Sequence, residues 1–100
     1  MKIWIDDVRP APEGYEVICF SVNAAIATIK TYERLGRCIE LMDIDNDSGE
    51  FYSDGGDYIC LLDWFEETGR NYPIRIHSQN PVGIANMRRI IERNGWKEIR

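Results

Sequence analysis

Positive charge is scarce in this chain: 12 Lys and Arg stand against 17 Asp and Glu, a formal net charge of −5 over 100 residues. A duplex nucleic-acid surface needs a basic stripe along a long footprint, so duplex DNA is not an expected partner. A small phosphorylated ligand needs only a local pocket and stays open. The densest basic pair, Arg88-Arg89, reads as a solvated helix face. Cysteine is scarce too. Cys19, Cys38 and Cys60 are odd in number and far apart, which argues against a disulfide framework and lacks the short-spaced pairs of zinc sites. A reducing compartment fits better, with Cys19 and Cys60, which sit among apolar neighbours, as buried thiols. No apolar run approaches the ~20 residues of a membrane span, and the acidic Met1–Asp7 start is no secretory signal. The expectation is a cytoplasmic protein that does not meet the membrane. Repeats and low-complexity segments are absent.

What is present is ordinary for a globular chain: 44% apolar and 29% charged residues, at the length of one domain spanning residues 1–100. Lys2–Ile5 reads as a strand that ends abruptly at Asp6-Asp7. Arg9–Gly14, with two prolines and a glycine, is a loop. Tyr15–Phe20 is a second strand. Ser21 or Asn23 can cap a helix carrying Val22, Ala25, Ile26, Ile29, Tyr32 and Leu35 at helical spacing, stopped by Gly36. Cys38–Ile44 is a third strand, and Asp45–Gly56 a polar loop. Asp57–Thr68 is a helix closed by Gly69. Pro73–His77 is a fourth strand. Pro81–Asn94 is a third helix with Val82, Met87, Ile90 and Ile91 inward, and Trp96–Ile99 a last strand. Strands alternating with helices predict a mostly parallel sheet with helices on its faces. The first two strands lack the usual crossover helix.

In such sheets ligands bind beyond the carboxyl ends of the strands. Asp6, Asp7 and Arg9 follow the first strand, Asp45, Asn46 and Asp47 the third, and His77, Ser78 and Asn80 the fourth. Asp6-Asp7 alone is what a strand end uses to start a turn. Several carboxylates gathered at one sheet edge repel each other and persist when a cation neutralises them. In His77–Gly83, Pro81 suits a first helical turn and Asn80 can cap it. The amides of Val82 and Gly83 are then expected to point out unpaired and attract phosphate, with Ser78 adding a donor and Gly83 leaving room for a ligand. A lone histidine at a strand end is more often structural than catalytic. Beside such a cradle, His77 becomes a proton donor or acceptor.

Three segments carry a resemblance: Ile5–Gly14 (IDDVRPAPEG), Ile44–Gly49 (IDNDSG) and Ile76–Gly83 (IHSQNPVG), with Asn86-Met87 after the last. Over nearly its whole length the chain resembles the receiver domains of response regulators, and within them the cyclic-phosphate-processing receiver-like family. The resemblance implies an α/β, three-layer, doubly wound, flavodoxin-like sheet of five strands in the order 2-1-3-4-5. It makes Asp6 and Asp7 the metal-binding pair, puts Asp45 at the phosphoacceptor position and Ser78 at the phosphate-sensing hydroxyl. Two departures stand out. The receivers' lysine is missing from the end of the fifth strand, Lys97 lying at the wrong end, and Asn46 stands where this family has a histidine.

Three functions compete. The first is a phosphoesterase for a cyclic or terminal phosphate on a nucleotide or RNA end. Asp6, Asp7 and Asp45 would hold Mg²⁺ or Mn²⁺. Ser78, Asn80, Gly83 and Arg9 would hold the phosphate, with His77 and Asp45 catalytic. The second is a non-catalytic receiver-like module that binds a phosphorylated ligand or a partner protein. The third is a calcium loop built from Asp43, Asp45, Asp47 and Asp54, with Ser48 where an EF-hand needs glycine.

Overall fold

A computed structural model describes residues 1–100. The elements are β1 (Lys2–Ile5), β2 (Val17–Cys19), α1 (Val22–Arg34), β3 (Leu41–Ile44), α2 (Ile59–Thr68), β4 (Ile74–Ile76) and α3 (Pro81–Asn94), with a single 3₁₀ turn at Gly49–Phe51. All strand pairs are parallel, in the order β2-β1-β3-β4. Local chemistry explains the boundaries. Ser21 caps α1 by accepting from the Ala24 amide, and Gly69 and Gly95 end α2 and α3 in the left-handed conformation. No helix is long and apolar enough to cross a membrane.

The expected fifth strand, Trp96–Ile99, is reduced to one parallel bridge between Ile74 and Glu98. Trp96 turns its ring edge-on to Phe65, and Glu98 is held by Arg88 at 2.8 Å. The segment therefore meets β4 at one residue.

The expected three layers are also corrected. Ile3, Ile5, Met42, Ile44 and Ile74 share one apolar cluster with Val22, Ala25 and Ile29 of α1, Leu61, Leu62 and Phe65 of α2, and Met87, Ile90 and Ile91 of α3. All three helices therefore pack on one sheet face. Parallel crossovers are right-handed. The step from β1 to β2 runs one way along the sheet and has no helix. The later steps run the other way, so their helices fall on a common side. Loop 6–16 makes the helix-free step. On the face turned away from that cluster the registered row is Ile18, Trp4, Asp43 and Arg75. Tyr15 packs edge-on against Trp4 there at 5.2 Å, and the Trp4 indole donates to the Arg9 carbonyl. Val82, expected inward, is 69% exposed, whereas Gly83 is buried.

Candidate functional site

The strand ends converge as their order requires. Asp6 ends β1 at 1% exposure and Asp45 ends β3 at 7%, while Asp7 is half-buried. One oxygen from each of Asp6, Asp7 and Asp45 lies within 4.8 Å of the others. Asp6 is heavily engaged. Its Oδ1 accepts from the Val8 and Arg9 amides, both at 2.9 Å, and its Oδ2 faces His77 Nε2 at 2.8 Å. Burial pushes its pKa up, but those amides and His77 more than offset this and hold it below the usual carboxylate range. Asp45 shows the opposite balance. Burial, then the field of Asp6, raises it despite the Asn46 amide and Arg9. The Tyr58 phenol is pushed up by burial and then by Asp7, Asp6, Asp45 and Asp57, which marks the region as strongly negative. Arg9 is the cation at hand. Its Nη1 stands 4.0 Å from both Asp6 and Asp45 and donates to the His77 carbonyl at 3.1 Å.

Asp7 is placed by a glycine that sequence reasoning missed. Gly49 has φ +54°, and a Cβ there would fall on the Asp7 carboxylate. Only a residue with no side chain lets the loop close over Asp7 in that conformation. The chain's IDNDSG segment contained the signal, a glycine two residues after Asp47.

His77 stacks on Trp4, with ring centroids 3.7 Å apart and planes 8° from parallel. Its Nδ1 faces Asp43 Oδ1 at 2.6 Å while Nε2 faces Asp6. Asp43 is fully buried and also accepts from the Tyr15 hydroxyl, with Arg75 at 3.4 Å. Sequence alone suggests Asp43 only as a calcium ligand. Asp43 instead pairs with His77, Asp54 binds Ser21 and Asn23, and Asp47 takes a hydrogen bond from Asn46, so the four carboxylates of that loop do not converge.

At α3 the expected open cradle is occupied. Asn80 Oδ1 accepts from both the Val82 and Gly83 amides at 3.1 Å. The room left by Gly83 is filled by the Asn46 side chain, which a Cβ there would strike. Capping satisfies the two donors that the sequence offers to phosphate. Ser78 Oγ accepts from the Asn80 amide at 3.1 Å, which leaves its proton free to donate.

Residues 1–93 match the model of the cyclic-phosphate processing receiver domain. The chain belongs to that family. No curated protein and no solved structure matches it. In this receiver domain the paired aspartates after β1 and the aspartate after β3 share one acidic cluster that could hold a metal ion. Donors that are all carboxylate oxygen suit hard divalent cations. The spacing suits one as well. Oxygens on opposite sides of one ion stand about 4.2 Å apart across Mg²⁺ and about 4.6–5.2 Å across Ca²⁺.

Proposed function

We propose that this receiver domain holds Mg²⁺ or Mn²⁺ on Asp6, Asp7 and Asp45 and hydrolyses a cyclic or terminal phosphate on a nucleotide or RNA end. The grouping of three carboxylates at the strand ends, two of them buried, carries the reading. Buried like charges destabilise one another, and a cation among them relieves this. When bound, the cation supplies Lewis-acid polarisation of a phosphoryl oxygen and acidifies a coordinated water.

The chain's own groups supply the rest. The Arg9 guanidinium lies beside Asp6 and Asp45 and would clamp a nonbridging oxygen. The Ser78 hydroxyl has a proton to donate to a second. Nε2 of His77 faces the acidic cluster and would protonate the leaving oxygen after parting from Asp6. Asn80 and Gly83 act indirectly in this scheme, by shaping the start of α3. Three free cysteines accord with a cytoplasmic setting. The test is turnover of 2′,3′-cyclic nucleotides with Mn²⁺, abolished by Asp6→Asn and by His77→Ala. Intact substrate after prolonged incubation would remove the catalytic claim.

A second reading, a phosphoryl-binding module without turnover, draws on specific observations. Both His77 nitrogens are engaged, the α3 amides are capped, and Asn46 fills the family's histidine position. It predicts metal-dependent chemical-shift changes with a phosphoryl analogue and no product.

A further inference from the structure

A carboxylate buried mid-strand is costly, and replacing such a group with an apolar residue is often stabilising. Asp43 is such a group. It lies between Met42 and Ile44 in β3, has no exposed surface, and takes no part in the acidic cluster. Yet every polar contact around it is organised. Tyr15 donates to Oδ2, Arg75 Nη1 stands 3.4 Å from the same oxygen, and Oδ1 meets His77 Nδ1 at 2.6 Å. The imidazole then reaches Asp6 Oδ2 through Nε2 at 2.8 Å.

We infer that Asp43 is a positioning residue for the metal site, acting through His77 on Asp6. This rests on the metal reading above. The geometry carries it in three ways. The imidazole is held at both nitrogens and flattened on Trp4, so it can neither rotate nor tilt without breaking a contact. The two Asp6 oxygens are then fixed from opposite directions, Oδ1 by backbone amides and Oδ2 by His77. Asp43 is itself anchored from the helix-free face by Tyr15 and Arg75, so the strut runs from that face to the strand ends. Partners that orient a ligating carboxylate typically change metal affinity by 10–100-fold when removed.

The experiment compares wild type, Asp43→Asn and Tyr15→Phe as full chains, with Mn²⁺ alone as probe. Free Mn²⁺ is read by electron paramagnetic resonance. The imidazole CH signals are read by NMR, and His77 is the only histidine, so they are unambiguous. In wild type those signals should be shifted upfield by the Trp4 ring. Asp43→Asn should weaken Mn²⁺ binding 10–100-fold and move the signals toward unstacked positions. Tyr15→Phe should do the same to a smaller, few-fold extent, and it carries the test if Asp43→Asn does not fold. Affinity within twofold of wild type together with unmoved His77 signals, in the folded variants, would overturn the inference. Wild type that binds no Mn²⁺ overturns the metal reading instead, and the His77 signals then decide on their own whether Asp43 positions the ring.

Discussion

Replacing Asp45 with asparagine should make the metal-free domain more stable while destroying its response to metal. The ligand atoms of Asp6, Asp7 and Asp45 lie within 4.8 Å of one another. At an effective dielectric of ~20, each such pair repels by about 3 kcal/mol. Arg9, 4.0 Å from Asp6 and from Asp45, cancels roughly one of the two repulsions that Asp45 feels. One repulsion remains, together with the cost of burying the charge, and the raised Asp45 pKa has the same sign. The asparagine side chain would keep an oxygen for the Asn46 amide, which now donates to Asp45 Oδ1 at 2.8 Å. Screening trims the gain to about 2 kcal/mol, or roughly 10 °C in Tm for a domain of this size. Metal reverses the order. Wild type gains about 2.7 kcal/mol at a hundredfold excess over Kd, and the variant gains little. The assay is thermal unfolding of both proteins with chelator and with rising Mn²⁺, where the two melting curves should cross. A variant that is less stable in chelator, or that is still stabilised by Mn²⁺, refutes the reasoning.

Three further outcomes are expected. Gly49→Ala should cost about 1 kcal/mol for the left-handed backbone and displace Asp7, lowering Mn²⁺ affinity roughly tenfold; calorimetric titration reads this, and unchanged affinity would count against Asp7 as a ligand. Gly83→Ala should destabilise by about 1–3 kcal/mol even though alanine is the better helix former, because its Cβ meets Asn46; adding Asn46→Ala should recover most of the loss in denaturant unfolding, and no recovery would mean the clash is not the cause. Glu33 is held below its ordinary 4.5 by Arg70 first, with Tyr72 adding to this against burial. A depressed carboxylate contributes stability that is present above its unfolded value and is lost as pH falls through the folded one. Glu33→Gln should therefore cost about 1 kcal/mol at pH 7 and flatten the loss of stability below about pH 4.5; an acid limb as steep as wild type would exclude the pair as its source.

Much of the fold was legible because its signals are local. Pro81 at the first turn, Asn80 before it and Gly95 after it mark α3 to the residue, since a cap and a left-handed stop act within a few positions of themselves. Ser21 marks the start of α1 and Gly69 the end of α2 in the same way, while α1 stops at Arg34 before Gly36 and α2 starts at Ile59 rather than Asp57. The carboxylates were legible for a related reason. Strand order alone brings the ends of β1 and β3 together, and Asp6, Asp7 and Asp45 sit on those ends.

Periodicity says which residues share a helix face but not which side of the sheet that face meets. Handed crossovers decide that, and they put all three helices on one side. Val82 is in solvent for a different reason: Gly83, not Val82, falls at helical spacing with Met87, Ile90 and Ile91. A polar atom's partner is likewise a matter of distance in space. Sequence offered the Val82 and Gly83 amides to phosphate, and Asn80 reached them first. Asp43 read as an acid of the third strand that a calcium loop could recruit, while the register beside Trp4 and Arg75 turned it toward His77, 34 residues away. Caps, periodicity and strand ends are properties of neighbouring residues, so the three helices, the first four strands, their order and the acids at the strand ends could be read without the fold. The two-layer arrangement, the single bridge left of the fifth strand and the Tyr15–Asp43–His77–Asp6 chain emerge only in the folded molecule, because they depend on which distant segments become neighbours.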